Sequence, residues 1–397
     1  MKQHYEGLVA RLVWDGTDEV RIPAELLPPG RTAPNEGQMI GTASERLGEI
    51  SGRACYDSLG APKSRSSADY HPHIKQVTHT SVYGPHHFTT SIPIGPVMNY
   101  SPKVVVSIFK ALMNRPGIWL NTRHEDFLRV TTNLRTVTEW AKWTKRNLAY
   151  YDGLTTQAVE VLGAVLNRVG RKVAPQIVDG NPDTGLQLYG VRDNSILVEP
   201  EDDSERWISL YMEGSRGFSH EEVRHGFQTG ISQRSTRYVD EDESPWVMHP
   251  LIQEFLIDET QDPEARARAK DVIAAAENAG RAAYGTLVKI LQPFAKSRIE
   301  SDPYAASTAR KQARGASRGY LGNALKTGGI FSAAVEEWKW KLRQRASNAA
   351  DGEIRCEYSM EVLRELKASR YAASFAEFEV EPAVDGVGYA LKGGGNK

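Results

Sequence analysis

Most of the chain after Pro263 carries the hydrophobic pattern of long helices, whereas the segments before it that resemble strands are short and widely spaced. Apolar residues recur at helical spacing in PEARARAKDVIAAAENAGRAAYGTLVKILQPFAK and TARKQARGAS, and MEVLRELKASRYAASFAEF places Val362, Leu363 and Leu366 on one face. Alternating patterns in EGLVARLVWDG, HFTTSI and WISLYMEG predict strands. Strands and helices in separate parts of a chain predict an α+β fold, here a mixed or antiparallel sheet flanked by long helices.

The same patterns divide the chain into parts. Residues 1–40 hold one strand and a Pro- and Gly-rich loop, which we interpret as an N-terminal extension. Residues 101–204 alternate helical patterns such as TTQAVEVLGAVLNRV with loop-like segments, and they predict a large, mostly helical insertion. The insertion would split the main domain into residues 41–100 and 205–380, and we expect residues 381–397 to form a flexible tail.

Composition and charge exclude several classes of protein. The 397 residues carry a net charge of −1, with 40% hydrophobic and 25% charged residues, which is typical of a globular protein that can bury a core. With a pI near 6.8, the protein lacks the positive electrostatic field of a general nucleic-acid binder. An anionic ligand would therefore need local cationic clusters. Cys55 and Cys356 are too few for a disulfide framework or a thiolate metal site. Since no apolar run reaches membrane-spanning length and MKQHYEGLVARLVWDG lacks a signal-peptide pattern, we expect a cytoplasmic protein with no membrane partner.

The segment HEEVRHGFQTGISQRSTRYVDED, residues 220–242, concentrates hydrogen-bond donors. Arginine presents a planar fork that matches phosphate oxygens, and hydroxyl groups in a Gly-containing loop add further donors. The side chains that could hold a phosphate monoester are Arg224, Ser235, Thr236 and Arg237. The alternative is a solvated basic loop whose charges pair with the acidic run at 240–242.

A short helix leads from the predicted strand WISLYMEG into this loop. Ser219 and Glu222 have the spacing of a capping box, in which the two side chains satisfy backbone N–H groups of the first turn. The pattern therefore predicts a helix that begins near Ser219 and ends near Arg224 and His225.

Three pairs of segments follow one another along the chain. The first is RACYDS (53–58) with HTSVYGPHHFTT (79–90), the second is SRGFSHEEVRH with STRY, and the third is RGYLGNALKT (318–327) with LRQRASNAADGEIR (342–355). In this order they resemble the flavin-dependent thymidylate synthases, the ThyX family. The insertion at 101–204 has no counterpart in the family pattern. The sequence contains no nucleophile elbow, Walker-type loop or spaced zinc ligands that would indicate a different chemistry.

The resemblance implies flavin-dependent methylation at C5 of a uridine 5′-monophosphate, either dUMP or UMP. In the family, 5,10-methylenetetrahydrofolate gives the carbon, NADPH reduces bound FAD, and the flavin delivers the hydride, without attack by a cysteine. Family members build each site from several subunits of a homotetramer. We therefore expect this chain to form a homotetramer with shared sites, a pyrimidine nucleoside monophosphate as ligand and no nucleic-acid partner.

The resemblance also assigns roles to individual residues. Arg345 would be catalytic, because a cation at the pyrimidine carbonyl stabilises the charge that develops on the ring. The nucleotide would be bound by Glu221, Ser235, Thr236, Arg237, Arg318 and Arg345. FAD would be bound by His79, Ser81, Arg224, His225 and Gln233. The resemblance implies no metal ligand.

Several positions depart from the family pattern where the family holds flavin. Gly226 replaces an arginine, and Gly84–Pro85 replaces a Glu-His pair. Ala334 and Glu336 stand where the family has Asn and Arg. These departures leave open a catalytically lapsed protein that binds flavin or nucleotide. Two enzymatic alternatives also remain open: a UMP/dUMP methylase of nucleoside-antibiotic (polyoxin-type) biosynthesis, and a hydroxymethyl-transferring relative.

Overall fold

The structure, a computed structural model, describes most of the chain after residue 200 and separate segments before it. The described residues are 5–17, 19–27, 43–56, 87–93, 118–123, 127–133, 196–197, 200–224, 229–301 and 303–393. The strands are β1 (Val9–Trp14), β2 (His87–Pro93), β3 (Ile118–Asn121), β4 (Phe127–Asn133), β5 (Ile196–Leu197), β6 (Trp207–Ser215), β7 (Thr229–Gln233), β8 (Lys326–Ala334), β9 (Val380–Pro382) and β10 (Tyr389–Leu391). The α-helices are α1 (Ala43–Tyr56), α2 (Arg216–Val223), α3 (Pro250–Ile257), α4 (Pro263–Ser297), α5 (Ala305–Ser317), α6 (Val335–Arg345), α7 (Gly352–Cys356) and α8 (Leu363–Lys367). A π-helical turn (Glu357–Val362) joins α7 to α8, and 3-10 helices span Ala24–Leu26, Arg318–Tyr320 and Ala372–Phe375.

An antiparallel sheet in the order β1-β6-β8-β7 forms the centre of the fold. Every residue of β6 is buried, because β1 and β8 pair with its two edges and helices cover both faces. On one face the alternate residues Ile208, Leu210 and Met212 pack with α6 and the α7–α8 segment. The opposite face, which includes Tyr211, packs against Leu47 of α1. Helices that flank an antiparallel sheet confirm the prediction of an α+β fold.

The close approach of β7 to β8 depends on Gly329. A Cβ atom at this position would lie 2.6 Å from the Ser232 carbonyl oxygen and 2.7 Å from the Gln233 Cα atom. Any side chain there would therefore push the two strands apart. Because Gly329 pairs with Gln233, the last residue of β7, this contact also fixes the point from which the donor-rich loop begins.

A second sheet, in the order β3-β4-β2-β5, joins residues on both sides of the boundary expected at residue 100. β2 pairs antiparallel with β4 and β5, which both belong to residues 101–204. The described part of those residues contains strands where the sequence predicted mostly helix, and the stretches SIFKALMN and TTQAVEVLGAVLNRV lie outside the described residues. The rings of Trp119 in β3 and Trp207 in β6 lie 5.1 Å apart, so this sheet contacts the main one.

The longest helix, α4, begins at Pro263 as the sequence predicted, and lies mostly on the surface. Asp262 caps its N-terminus, and proline fits the first turn because the N–H that it lacks has no partner within the helix. Of its 35 residues, Tyr284 and Ala295 are buried. Its most exposed large apolar side chains are Val272, Ile290 and Phe294. Neither α4 nor any other described helix is long and apolar enough to cross a membrane.

The prediction of a flexible tail is wrong for residues 381–393, which the structure describes. β9 and β10 pair antiparallel, and Val387, Ala390 and Leu391 are buried. Arg355 donates to both carboxylate oxygens of Asp385 at 2.7 Å, which ties this hairpin to α7. Among the described residues, the apolar side chains that flank the turn give the hairpin a buried face.

Candidate functional site

Helix α2 follows the central strand β6 and carries predicted site residues at its C-terminal end. Ser215 is its N-cap and accepts a backbone N–H of the first turn at 3.0 Å. The predicted capping box is wrong, because Ser219 lies one turn inside the helix and donates to the Arg216 carbonyl oxygen at 3.0 Å. Glu222 makes no cap either and is fully buried against α6. The predicted end of the helix is confirmed, with Arg224 as its C-cap.

Two arginines from different elements share the carboxylate of Glu221. Arg345, the last residue of α6, contacts Glu221 Oε2 at 2.9 Å, and Arg224 contacts Glu221 Oε1 at 2.5 Å. The Arg345 side chain is 18% exposed and that of Arg224 is 66% exposed. We call these three residues the Glu221 cluster. Two guanidinium groups on one carboxylate leave a net positive charge, so the cluster can still attract an anion or polarise a carbonyl group.

A buried ionic network supports the Glu221 cluster from inside the core. One carboxylate oxygen of Glu222 contacts Lys341 Nζ, and the other accepts the hydroxyl of Tyr358. All three side chains have no exposed surface. Burial and the neighbouring charge of Glu222 raise the pKa of Tyr358 well above its ordinary value, so its hydroxyl remains a donor. Because Glu222 is adjacent to Glu221, this network fixes the C-terminal turn of α2.

The loop after β7 is fixed against α1 and α5. The backbone N–H of Ser235 donates to the Cys55 carbonyl oxygen at the end of α1, at 2.9 Å. Arg314 of α5 donates to the Tyr238 carbonyl oxygen at 2.6 Å. The loop therefore has a defined backbone beside the C-terminal half of α5. The predicted phosphate ligands that it carries are Ser235, Thr236 and Arg237.

Acidic residues of the run 240–242 form ion pairs with arginines that were not predicted to bind phosphate. Asp240 pairs with Arg314 at 2.6 Å, and Glu241 lies 3.5 Å from Arg234. Among the residues that the structure describes, Arg237 and Arg318 form no ion pair with a carboxylate. The alternative of a solvated basic loop paired with the acidic run therefore applies to Arg234 but not to Arg237.

Arg318 forms a second cluster with residues of the loop after β7 and with Arg216. The sequence analysis did not identify Arg216 as a site residue. Arg318 Nη1 donates to Thr236 Oγ1 at 3.2 Å, and Arg216 Nη1 donates to the Arg318 carbonyl oxygen at 3.4 Å. Arg237 lies over Gly315 of α5, where an added Cβ atom would be 3.7 Å from Arg237 Cγ. We call Arg216, Thr236, Arg237 and Arg318 the Arg318 cluster.

The two clusters lie at opposite ends of α2. Arg216 precedes Glu221 by five residues, and since an α-helix rises about 1.5 Å per residue, their Cα atoms are separated by about 8 Å along its axis. The predicted nucleotide-binding residues thus fall into two groups, with Arg345 and Glu221 in one and Arg318, Thr236 and Arg237 in the other.

A cavity of about 580 Å³ borders Glu221, between α2, α3, α4 and the start of α7. Its wall is largely apolar and includes Trp246 and Ile252. Glu353 also lines it and accepts the Ser215 backbone N–H at 2.9 Å and the Ser215 hydroxyl at 2.7 Å. Burial raises the pKa of the Glu353 carboxyl above its ordinary value. The volume falls within the range of small-molecule binding sites.

Only some of the predicted flavin ligands belong to the described residues. Gln233 Nε2 donates to Ser219 Oγ at 2.9 Å, and Arg224 is exposed. The predicted ligands outside the described residues are His79, Ser81 and His225. Two of the positions that depart from the family pattern belong to the described residues. Ala334 is fully buried at the end of β8, and Glu336 is exposed. Neither side chain offers a hydrogen-bond donor.

Of the two cysteines, Cys356 is buried and Cys55 is half-buried. Burial raises the pKa of Cys55 to about 11 and that of Cys356 to about 12. Because the thiolate is the nucleophilic form of cysteine, both side chains are almost entirely in their unreactive form at neutral pH.

The region that contains both clusters matches a known protein family. Residues 207–369, from β6 to just beyond α8, match the family described as thymidylate synthase complementing protein. Proteins named flavin-dependent thymidylate synthase are similar to this chain over 180 residues, with 38% identity for the one from Mycobacterium marinum, 37% for Mycobacterium avium and 35% for Mycobacterium bovis. The similarity covers 45% of this chain and 64% of each of these relatives, so the chain spans just under two thirds of their length.

Proposed function

We propose that this protein is a flavin-dependent methylase of the ThyX family that acts on C5 of a uridine 5′-monophosphate, dUMP or UMP. The arrangement of two cationic clusters at the two ends of α2, inside the region that matches the family, is the observation that carries the proposal. The Glu221 cluster offers a polar contact for a ring. The Arg318 cluster offers guanidinium and hydroxyl groups for a phosphate.

At the phosphate end, Arg318, Arg237, Thr236 and Ser235 would bind the dianion. Arg237 and Arg318 have no carboxylate partner among the described residues, so their donors are available to phosphate oxygens. The hydroxyl of Thr236 accepts from Arg318 and retains its own hydrogen for donation.

At the ring end, Arg345 would donate to a pyrimidine carbonyl oxygen and stabilise the negative charge that develops as C5 becomes nucleophilic. Glu221 holds the Arg345 guanidinium at 2.9 Å and would keep it in place before the substrate arrives. Pre-positioned charge of this kind is effective because it needs no rearrangement during the reaction. The raised pKa values of the two cysteine thiols are in keeping with chemistry that uses no cysteine nucleophile.

The described residues fit a bound FAD at two points. The exposed guanidinium of Arg224 could pair with a flavin phosphate, and the side-chain carbonyl oxygen of Gln233 offers an acceptor near α2. His79, Ser81 and His225 are proposed as further ligands on the family resemblance alone. When bound, FAD reduced by NADPH would supply the hydride that completes the methyl group, and 5,10-methylenetetrahydrofolate would supply the carbon.

The proposal predicts product formation from a uridine nucleotide. We expect the purified protein, incubated with FAD, NADPH and 5,10-methylenetetrahydrofolate, to add one CH₂ unit to dUMP, to UMP or to both, but not to dCMP. Mass spectrometry of the three separate incubations measures this, and it also separates dUMP from UMP preference. Addition of CH₂O would instead identify a hydroxymethyl-transferring relative. No modified nucleotide in any incubation would contradict the proposal.

The second candidate is a protein that binds flavin or nucleotide without turnover. It is favoured by Ala334 and Glu336, which supply no donor where the family has Asn and Arg. The flavin spectrum distinguishes the two candidates. An enzyme should show a spectrum that NADPH bleaches and that folate plus nucleotide restores, whereas a lapsed protein should bind ligand without this cycle.

We also propose that the chain forms a homotetramer with sites shared between subunits. The exposed apolar side chains of α3 and α4 support this proposal, since scattered apolar residues are common but several on adjacent helices are typical of an interface. These side chains are Leu251, Ile252, Ile257, Val272, Ile290 and Phe294.

Light scattering should report a mass near 176 kDa, which is four times the 44.1 kDa of one chain. We expect Val272→Asp, at a side chain that is 68% exposed, to lower this mass by placing a charge in the contact. A wild-type mass of 44.1 kDa at micromolar concentration would contradict the tetramer.

A further inference from the structure

The core contains a carboxyl group without a partner. Glu357, the first residue of the π-helical turn, has no exposed surface. Among the described residues, neither of its carboxyl oxygens has a hydrogen-bond or ion-pair partner. Burying an unpaired carboxylate is so unfavourable that such a group takes up a proton instead. The geometry therefore favours the neutral acid at this position.

The acids around Glu357 strengthen this preference. Burial raises the pKa of the Glu357 carboxyl well above its ordinary value, and nearby carboxyl groups raise it further. These groups belong to Glu361, Glu353, Glu213 and Glu222. A proton on Glu357 thus avoids repulsion from its neighbours as well as the loss of hydration.

Cations on the elements packed against the turn form ion pairs with other acids. Glu353 accepts the backbone N–H and the hydroxyl of Ser215. Glu365 accepts from Arg364 and from the Leu12 backbone N–H. The ion pairs in this region are Lys341–Glu222, Lys326–Glu213, Arg364–Glu361, Arg11–Glu361, Arg345–Glu221 and Arg355–Asp385. Other titratable groups on the turn or beside it are Cys356, Tyr358 and Tyr389.

The same turn supports the Glu221 cluster. Tyr358 follows Glu357 directly and donates to Glu222, which is adjacent to Glu221. Glu221 in turn holds Arg345 at 2.9 Å. An ionised Glu357 could reach water only if the π-helical turn opened, and this opening would withdraw Tyr358 from Glu222. Local irregularities of this kind within helices often occur where a protein changes conformation or binds a ligand.

We propose that Glu357 is a proton-dependent switch: the folded protein holds a proton on this carboxyl group, and release of the proton to solvent at alkaline pH opens the π-helical turn and removes the support of the Glu221 cluster. The inference goes beyond the proposed function and does not depend on it, because stability and backbone exchange report the switch without any substrate.

The direction of the pH dependence follows from the raised pKa of Glu357. The unfolded chain loses this proton near the ordinary carboxyl pKa of 4.5, whereas the folded protein retains it to a higher pH. The stabilising contribution of the protonated group is therefore fully present below this ordinary pKa and is lost as the pH rises towards the folded-state pKa. Over that interval, one proton raises the unfolding equilibrium constant about tenfold per pH unit.

The first test compares urea denaturation of wild type and Glu357→Gln at pH values from about 5 to about 9. Glutamine has a similar shape and cannot ionise. We expect the ratio of the unfolding constants, wild type over variant, to rise about tenfold per pH unit up to the folded-state pKa. Glu377→Gln is the matched control, because this side chain is 59% exposed, and it should follow the wild-type slope. Glu357→Met serves for the same comparison if the glutamine variant does not fold.

The second test is hydrogen exchange followed by mass spectrometry, with rates corrected for the intrinsic effect of pH. In wild type, peptides that cover residues 357–362 should lose protection as the pH rises, and they should lose more than peptides from the central strand β6. In Glu357→Gln this loss should be absent.

The two tests decide both parts of the proposal. Parallel pH profiles of stability for wild type and Glu357→Gln would overturn the bound proton and with it the switch. A difference in slope with unchanged protection of the turn would also overturn the switch, because proton release would then leave the turn closed. Neither outcome bears on methylation of a nucleotide, so failure here is distinct from failure of the proposed function.

Discussion

Replacing Lys341 by methionine is expected to lower the free energy of unfolding by about 3–5 kcal/mol, the cost of breaking a buried ion pair by removing one partner. Lys341 and Glu222 are completely buried, and Lys341 also lies over the Trp338 ring, 4.9 Å from its centroid. The methionine side chain would fill most of the space but leave the Glu222 carboxylate buried with one hydrogen bond, from Tyr358. Urea denaturation of the wild type and the variant measures the difference.

A control on the same helix separates burial from charge. Lys339 pairs with Asp203 at 2.6 Å, but the two side chains are 21% and 25% exposed. For Lys339→Met we expect a loss of about 1 kcal/mol or less, because water can solvate the remaining carboxylate. Replacing the whole network with apolar groups, as Lys341→Met, Glu222→Leu and Tyr358→Phe together, should restore most of the stability.

Equal losses for Lys341→Met and Lys339→Met would contradict the prediction, since the effect would then not depend on burial. A triple variant that is less stable than Lys341→Met alone would show that packing of the three side chains, and not the isolated charge, controls stability.

The buried network of Glu222, Lys341 and Tyr358 also shows what could not be predicted from the sequence. The sequence placed Glu222 in a cap because a Ser–x–x–Glu spacing describes a helix start when nothing else competes for the side chains. In the fold, Ser215 already caps α2, and Lys341, more than a hundred residues later, supplies a partner for Glu222. A local pattern cannot report a partner so distant in sequence. The shifted helix start also hid Arg216, which the sequence pattern left outside the helix.

The strands and helices that follow a simple hydrophobic period were predictable. β1, β2, β6, α4 and α5 lie where the sequence indicated them. β8 did not follow such a period, because Lys326–Ala334 (KTGGIFSAA) contains two adjacent glycines and two alanines, which are poor strand formers in isolation. Its place between β6 and β7 requires this composition, since Gly329 allows the contact with Ser232 and Gln233. Packing thus determines a strand that propensity disfavours.

The site was predictable residue by residue only through resemblance to a family. Composition and spacing indicated an anion-binding loop at Ser235–Arg237, but not that Arg318 would meet it or that Arg345 would pair with Glu221. Both contacts join segments separated by 82 residues or more. The structure brings these predicted residues together in two clusters, while the nucleotide and flavin that they would bind stay predictions.

For Arg345→Ala we expect methylation to fall by at least about 100-fold while FAD stays bound, because the lost group would act on charge that develops in the transition state. Arg345 belongs to the Glu221 cluster. Arg224 and Gln233 are the flavin ligands proposed among the described residues, and they keep their positions at the end of α2 and in β7. Product formation per enzyme and the flavin absorbance of the purified variant are the two measurements.

Arg343→Ala is the matched control for this variant. Arg343 lies two residues earlier on α6, is 54% exposed, and pairs with Glu377 on the surface. Its replacement removes the same charge from the same helix without touching the Glu221 cluster, so we expect turnover within about twofold of wild type. Arg345→Lys should give an intermediate rate, because the ammonium keeps the charge but lacks the planar fork that Glu221 holds.

Three outcomes would decide the role of Arg345. Unchanged turnover of Arg345→Ala would contradict the assignment of the ring-end site. Loss of FAD together with turnover would show that Arg345 supports the fold of the flavin site and does not act on the pyrimidine. A lower kcat with an unchanged KM for the nucleotide is the result that we expect, because an interaction made mainly in the transition state lowers the rate without weakening the binding of the substrate.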